Sequence, residues 1–251
     1  MPFSPTPGQP PGMNLLAFDT STEQLSVAAQ RADGRRWRHA GPGGAQASAA
    51  LIPAALALLA EAELALGDLR AIAFGRGPGS FTGLRTACSV AQGLAFGANV
   101  PTLPVDTLLT VAQDAFVRSA PNSPARVLAL LDARMDELYS AAYAHEDGRW
   151  RMLGNIRLGP PETLALPPDA TDGGWALAGN AFGPAYANRL PPALRDWPRI
   201  NALPTADALL DLAPALLAAG GAVPAAQALP LYIRDKVAQT TAERIAAGGA
   251  R

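Results

Sequence analysis

Two short stretches of the chain carry residue types suited to holding an anion. The first is Asp19-Thr20-Ser21-Thr22. An aspartate followed by hydroxyl residues can order a tight turn through side-chain to backbone bonds. The second is Gly75-Arg76-Gly77-Pro78-Gly79-Ser80-Phe81-Thr82-Gly83. Its glycines permit close backbone approach, and a helix that follows would offer free N–H groups. A phosphate cradle and a rigid strand-to-helix turn, capped by Ser80 or Thr82, are both compatible with it. Known phosphate codes do not fit. A dinucleotide fingerprint would need glycine at Ser80 or Thr82, and a P-loop would need a lysine, whereas the one lysine is Lys236. Asp132, Asp136 and Glu137 gather around a turn, which reads more readily as solvated than as an acid–base pair. His39 and His145 stand too far apart for a short metal motif, and no C-x-x-C or H-E-x-x-H pattern occurs.

Periodicity gives the elements that would position these residues. Asn14–Asp19 is an apolar run ending on the acidic residue, as in a buried strand. Leu25–Ala29 resumes as a strand, Asp33-Gly34 signals a hairpin, and Arg35–His39 returns. A helix is predicted over Ala47–Leu66, capped by Ser48, disturbed at its start by Pro53 and ended by Gly67-Asp68. Ala71–Phe74 forms a strand leading into the glycine stretch, and a helix follows from Thr82 to about Phe96. Val100–Leu103 is a strand and Thr107–Val117 a third helix.

After a break over Arg118–Ala125 the pattern restarts. At a constant offset of 113 residues, Leu128–Tyr143 lies on Leu15–Gln30, placing Asp132 on Asp19, Leu138 on Leu25 and Ala141-Ala142 on Ala28-Ala29. Strand, aspartate, polar turn and strand are repeated, so two similar α/β lobes are expected. Later come a strand at Trp175–Ala178, a helix at Asp207–Ala219 and a closing segment at Leu229–Arg234. The predicted division is a proline-rich tail over 1–12, a first lobe over 13–108, a smaller second lobe over 109–238 and a tail over 239–251.

Composition narrows the function classes. The net charge of −1 gives no general attraction to nucleic acid or to anionic membranes. Cys88 is the single cysteine, which excludes an intramolecular disulfide and a thiolate zinc cluster. The most apolar stretch, Ala47–Ala60, is interrupted by Pro53 and falls short of the ~20 residues a bilayer requires. The N-terminus has no signal-peptide pattern, so a cytoplasmic protein without membrane contact is expected. The two first-lobe helices carry more apolar surface than one sheet can cover, and either packing of the helices on each other within the core or a partner chain could cover the remainder. The residues expected at that contact are Leu51, Ala55, Leu58, Arg85, Ala87, Val90, Ala91 and Leu94.

Four segments carry a resemblance: NLLAFDTST, AFGRGPGSFTGLRTACSVAQGLAFG, LALLDARMDELYSAAY and LPLYIRDKVA. Together they resemble the bacterial TsaB (YeaZ) family over about Met13–Ala238. The resemblance implies a two-lobed actin-like fold, a duplicated ribonuclease H-like unit shared with sugar kinases. It implies a non-catalytic subunit in the making of N6-threonylcarbamoyladenosine beside the anticodon, at position 37 of tRNAs reading codons that begin with A. Partners implied are the transferase TsaD, bound through the first-lobe helices, the ATPase TsaE, tRNA through the complex, and a second copy in a homodimer. Asp19-Thr20-Ser21-Thr22 resembles the first phosphate loop of actin-like ATPases, which implies at most weak ATP or ADP binding and no required cofactor. Asp132-Ala133-Arg134-Met135, at the matching place in the second repeat, lacks glycine and hydroxyl. The alternatives are an actin-fold ATPase or kinase-like enzyme, and an inactive metalloprotease-like homologue acting as a homodimer.

Overall fold

The computed structural model describes residues 12–167, 170 and 173–234. The tail expected over 1–12 lies outside them except for Gly12, and that over 239–251 lies outside entirely. The elements in order are β1 Leu15–Asp19, β2 Gln24–Gln30, β3 Arg36–Pro42, α1 Ala47–Glu61, β4 Ala71–Gly77, α2 Phe81–Ala98, β5 Thr102–Asp106 and α3 Thr107–Arg118. They continue with β6 Arg126–Asp132, β7 Leu138–Glu146, β8 Arg149–Met152, β9 Arg157–Gly159 and β10 Trp175–Gly179. The last are α4 Pro184–Ala187, α5 Pro192–Arg195, β11 Arg199–Asn201 and α6 Ala206–Ala218.

Two sheets form. The first runs β3-β2-β1-β4-β5 and the second β11-β10-β6-β7-β8, with β9 also paired to β7. Read from the opposite edge, the second sheet repeats the first: a central strand flanked by an antiparallel meander on one side and parallel strands on the other. The duplication expected from sequence is therefore present, but its register is not constant. Asp19 pairs with Ser26, whereas Asp132 pairs with Leu138. Leu138 thus corresponds to Ser26 rather than Leu25, and the offset drops by one across the turn. Alternating alanines hid the slip, because small residues match one another at either register.

Each sheet face is covered. Leu16, Phe18, Leu25, Ile72 and Phe74 pack under α1 and α2. On the opposite face Leu15, Ala17, Ala73, Leu103 and Val105 meet Leu209, Leu210 and Ala213 of α6. α3 follows the first sheet in sequence yet packs on Val127, Ala129 and Tyr143 of the second. The two helices touch, so each lobe lends a helix to the space between the sheets.

α1 starts at Ala47 as expected, but its cap and its C-terminal end differ from expectation. It stops at Glu61, not Leu66, and the chain turns through Glu63 at φ 55°. Ser48 is inside the helix and donates to Ala45 O at 3.2 Å, so it is not the cap. Pro53 lies mid-helix, and both it and Ala49, whose carbonyl loses its helical partner, face solvent. With the preceding turn, Gly44–Glu61 is long and apolar enough by composition to cross a membrane. Its Leu51, Ala55, Leu58 and Leu59 are nevertheless seated in the first-lobe core.

Candidate functional site

The aspartate turn after β1 and the glycine stretch after β4 lie against each other. Asp19 is 1% exposed. Its Oδ1 accepts from the Ser21 amide at 2.8 Å and from Ser21 Oγ at 2.6 Å. Its Oδ2 is buried without a hydrogen-bond partner. Burial pushes the carboxyl up to about 6, while the two Ser21 bonds pull it the other way.

The glycines explain the burial. A Cβ on Gly75 would stand 1.7 Å from Asp19 Oδ2, and one on Gly83 would stand 1.8 Å from Thr20 O. One on Gly79 would meet Ser21 Cβ at 2.6 Å. Thr20 Oγ1 donates to Gly83 O at 2.7 Å, and the Ser80 amide donates to Ser21 O at 2.7 Å. Gly77 adopts φ 120°, and the peptide to Pro78 is cis. Ser80 is the residue that caps α2, accepting from Gly83 N, while Thr82 lies within the helix. The glycine stretch is thus a backbone cover laid on Asp19, Thr20 and Ser21. Thr22 alone of the four keeps some exposure, and its Oγ1 accepts from the Gln24 amide at 3.2 Å. Glycine backbone lies against Asp19, Thr20 and Ser21, while Ser21, Thr22, Gly79 and Ser80 border open space. Among the described residues, no three His, Cys, Asp or Glu side chains converge to hold a metal ion.

The second aspartate turn is open. Asp132 Oδ1 accepts from the Arg134 amide at 2.7 Å and from Tyr186 Oη at 2.6 Å. Burial, with the Asp132 charge beside it, pushes the Tyr186 hydroxyl up to about 12. The Asp132 amide donates to Asn180 Oδ1 at 3.0 Å. Arg134, Met135 and Asp136 all have positive φ, at 62°, 54° and 60°. Three consecutive non-glycine residues in the left-handed region persist only when their surroundings hold them there. The anchors are the Asp132 bonds, the Ala133 N to Glu137 O bond at 3.0 Å, and an ion pair between Glu137 and Arg234.

Between the two turns lies a cavity of about 660 Å³. Glu23 and Arg134 form an ion pair from its opposite rims. Phe81, Tyr139 and Tyr232 contribute aromatic surface to its wall. Sequence reasoning singled out Asp19–Thr22, Ser80 and the second turn; Ser21, Thr22, Ser80 and Asp132–Met135 line this cleft, while Asp19 and Thr20 are buried. It did not find Glu23, Phe81, Tyr139 or Leu231–Arg234 as cleft residues, because only tertiary contacts between distant segments place them there.

Comparisons with known proteins bear on this arrangement. The family model described as TsaD, tRNA N6-adenosine threonylcarbamoyltransferase, matches residues 40–170. The tRNA threonylcarbamoyladenosine biosynthesis protein TsaB of Escherichia coli K12 is 36% identical over 229 residues, covering 90% of this chain and 96% of that protein. The chain belongs to the TsaB family. The structure of YeaZ from Pseudomonas aeruginosa is 43% identical and aligns with a TM-score of 0.78, covering 88% of this chain and all of that one. The two-lobed actin-like fold of this family member follows from that match and from the repeated strand order.

One set of expected residues needs correction. Leu51, Ala55, Ala87 and Ala91 are 0% exposed and Leu58 is 5% exposed. They pack on this chain's own sheet and are not available to a partner. Val90 and Leu94 are half-buried at the edge of that core, and Arg85 is exposed. The helices' outward apolar residues are instead Ile52 and Leu56, at 41% and 46% exposure, and Phe96 at 81%. Alanine and leucine populate both faces of these helices, so composition could not distinguish inside from outside.

Proposed function

We propose that this chain is a cytoplasmic subunit in the formation of N6-threonylcarbamoyladenosine at position 37 of tRNAs reading codons that begin with A. It acts by pairing with the transferase TsaD, without a reaction of its own. Family membership supports the pathway, since the Escherichia coli relative carries that biosynthetic name. The single observation supporting a pairing role is the outward face of α1 and α2. No charged residue occurs between Ala47 and Ala60, and Arg85 is the one charge of α2. That face leaves Ile52, Leu56 and Phe96 in water. Large apolar side chains exposed on two packed helices are the kind of surface a partner chain covers. The covered aspartate turn supports the absence of autonomous phosphate chemistry.

Reconstitution with TsaD, TsaE, tRNA and a supply of threonylcarbamoyl-adenylate tests the reading. Modified adenosine should require this chain, while the chain alone should turn over no ATP. Phe96→Glu and Leu56→Glu should abolish co-elution with TsaD and keep the isolated fold, because both side chains face solvent. Full modification without the chain, or unchanged co-elution of both variants, would overturn it. A homodimer built on the same face would appear as a concentration-dependent mass that Phe96→Glu removes.

A further inference from the structure

We propose that Leu231–Arg234 is a clasp that holds the two lobes at a fixed separation and closes one wall of the cavity between them. The chain reaches this segment along α2. Cys88 Sγ and Gln92 Nε2 both donate to Ala228 O, at 2.9 and 2.8 Å. The Leu231 amide then donates to Arg76 O at 2.7 Å. Gly77 makes room for that contact, since a Cβ there would stand 2.6 Å from Leu231 O. Tyr232 lies on Phe81 with ring centroids 5.3 Å apart, and its hydroxyl accepts from Arg85 Nε at 3.1 Å. The Arg85 guanidinium sits 3.9 Å from the Phe81 ring centre. Up to Tyr232, therefore, the segment grips the first lobe.

The next two residues grip the second. Ile233 packs against the cluster that includes Val127 and Tyr139. The Arg234 side chain, 15% exposed, pairs with Glu137, and its Nη1 stands 3.1 Å from Met135 Sδ. Glu137 is the residue that closes the left-handed turn at Arg134–Asp136. Four consecutive residues thus fasten the N-terminal turn of α2 to the strained turn of the other lobe, and both line the same cavity. The Glu23–Arg134 pair is exposed on both partners and contributes little beside such a clasp. A segment fastened to both lobes limits their separation on the cavity side, while α3 and α6 join them between the sheets. The clasp stands whether or not α1 and α2 meet TsaD.

Spin labels on cysteines introduced at the exposed positions Ser89 and Asn188 report the separation of the lobes; Cys88 is buried, and burial pushes its thiol up, so it stays in place unlabelled. The full chain should give a narrow distance distribution. The double variant Tyr232→Ala with Arg234→Ala should broaden it and shift its mean by several ångström, with far-UV circular dichroism unchanged. Tyr232→Phe with Arg234→Lys, which keeps the ring and the charge, should restore much of the narrow distribution. If the double alanine variant does not fold, Glu137→Gln removes Arg234's partner from the other side and is read in the same way. An unchanged distribution in the folded double variant, or in Glu137→Gln where it is needed, would overturn the clasp.

Discussion

Asp19 ends β1 beneath the glycine stretch, 1% exposed, with one oxygen unpartnered. Asp132 ends β6 at the same place in the repeated sheet, partly open, with its Oδ1 bonded to a backbone amide and a tyrosine hydroxyl. One topology therefore carries one aspartate in two opposite settings. In the first lobe, the backbone of Gly75, Gly79 and Gly83 lies directly on the turn. In the second, no such cover exists, and the turn is held from outside by Arg234, Tyr186 and Asn180. A strand order dictates where a turn is presented, while the neighbouring loop decides whether that turn can be reached.

The cover gives the largest expected effect. Gly83→Ala would place a methyl group 1.8 Å from a backbone oxygen, which no rotamer can avoid. The loop must shift, at a cost on the order of 3 kcal/mol. Thermal unfolding should show a fall in Tm of roughly 10 °C for a domain of this size. A change within a degree would mean that the cover is not packed on Thr20 as described.

The two aspartates should also respond oppositely when made neutral. Burial raises the Asp19 carboxyl to about 6 in the folded chain, against an ordinary value of 3.8. Two units at ~1.4 kcal/mol each make its ionised form costly by about 3 kcal/mol. That penalty is fully present above pH 6, declines as pH falls towards 4, and vanishes once both states are protonated. Asp19→Asn should therefore stabilise the chain at pH 7.5, and its advantage over the native protein should shrink towards pH 4. Denaturant titrations at both pH values check this, and a variant less stable than the native chain at pH 7.5 would show that the carboxylate has a stabilising partner. Asp132→Asn should instead lose about 1 kcal/mol at neutral pH, because the charge that strengthens the bonds from Tyr186 and Arg134 disappears.

Much of this comparison was legible in the sequence. The matched aspartates and the break at Arg118–Ala125 point to two lobes, and the apolar runs place β1, β2 and β10 to within one residue, whereas β3, β4 and β5 each end three residues beyond the expected strand and β8, β9 and β11 carry no signal of their own. The slip of one residue between β2 and β7 was not legible, because alanines satisfy either register. The cover over Asp19 was not legible either. A glycine tolerates several conformations, and only tertiary contact shows which atom lies against it. Nor could helical period separate the inner Leu51 and Ala91 from the outer Ile52 and Phe96 when both faces are apolar. The closing segment Leu229–Arg234 was seen as an element, but its partners Phe81, Arg85 and Glu137 lie far away along the chain.

The smallest expected effect sharpens the contrast from the second lobe. Met135 sits at φ 54° in the middle of the left-handed turn, with its side chain 58% exposed. Glycine carries no penalty for that backbone, so Met135→Gly should relieve strain while removing little buried surface. The added flexibility of the unfolded chain offsets part of the gain. The net expectation is stabilisation of about 0.5 kcal/mol, the reverse of Gly83→Ala. A loss of more than about 1 kcal/mol would show that the contact with Arg234 outweighs the strain. The second turn would then be held by its side chains as firmly as the first is held by its backbone.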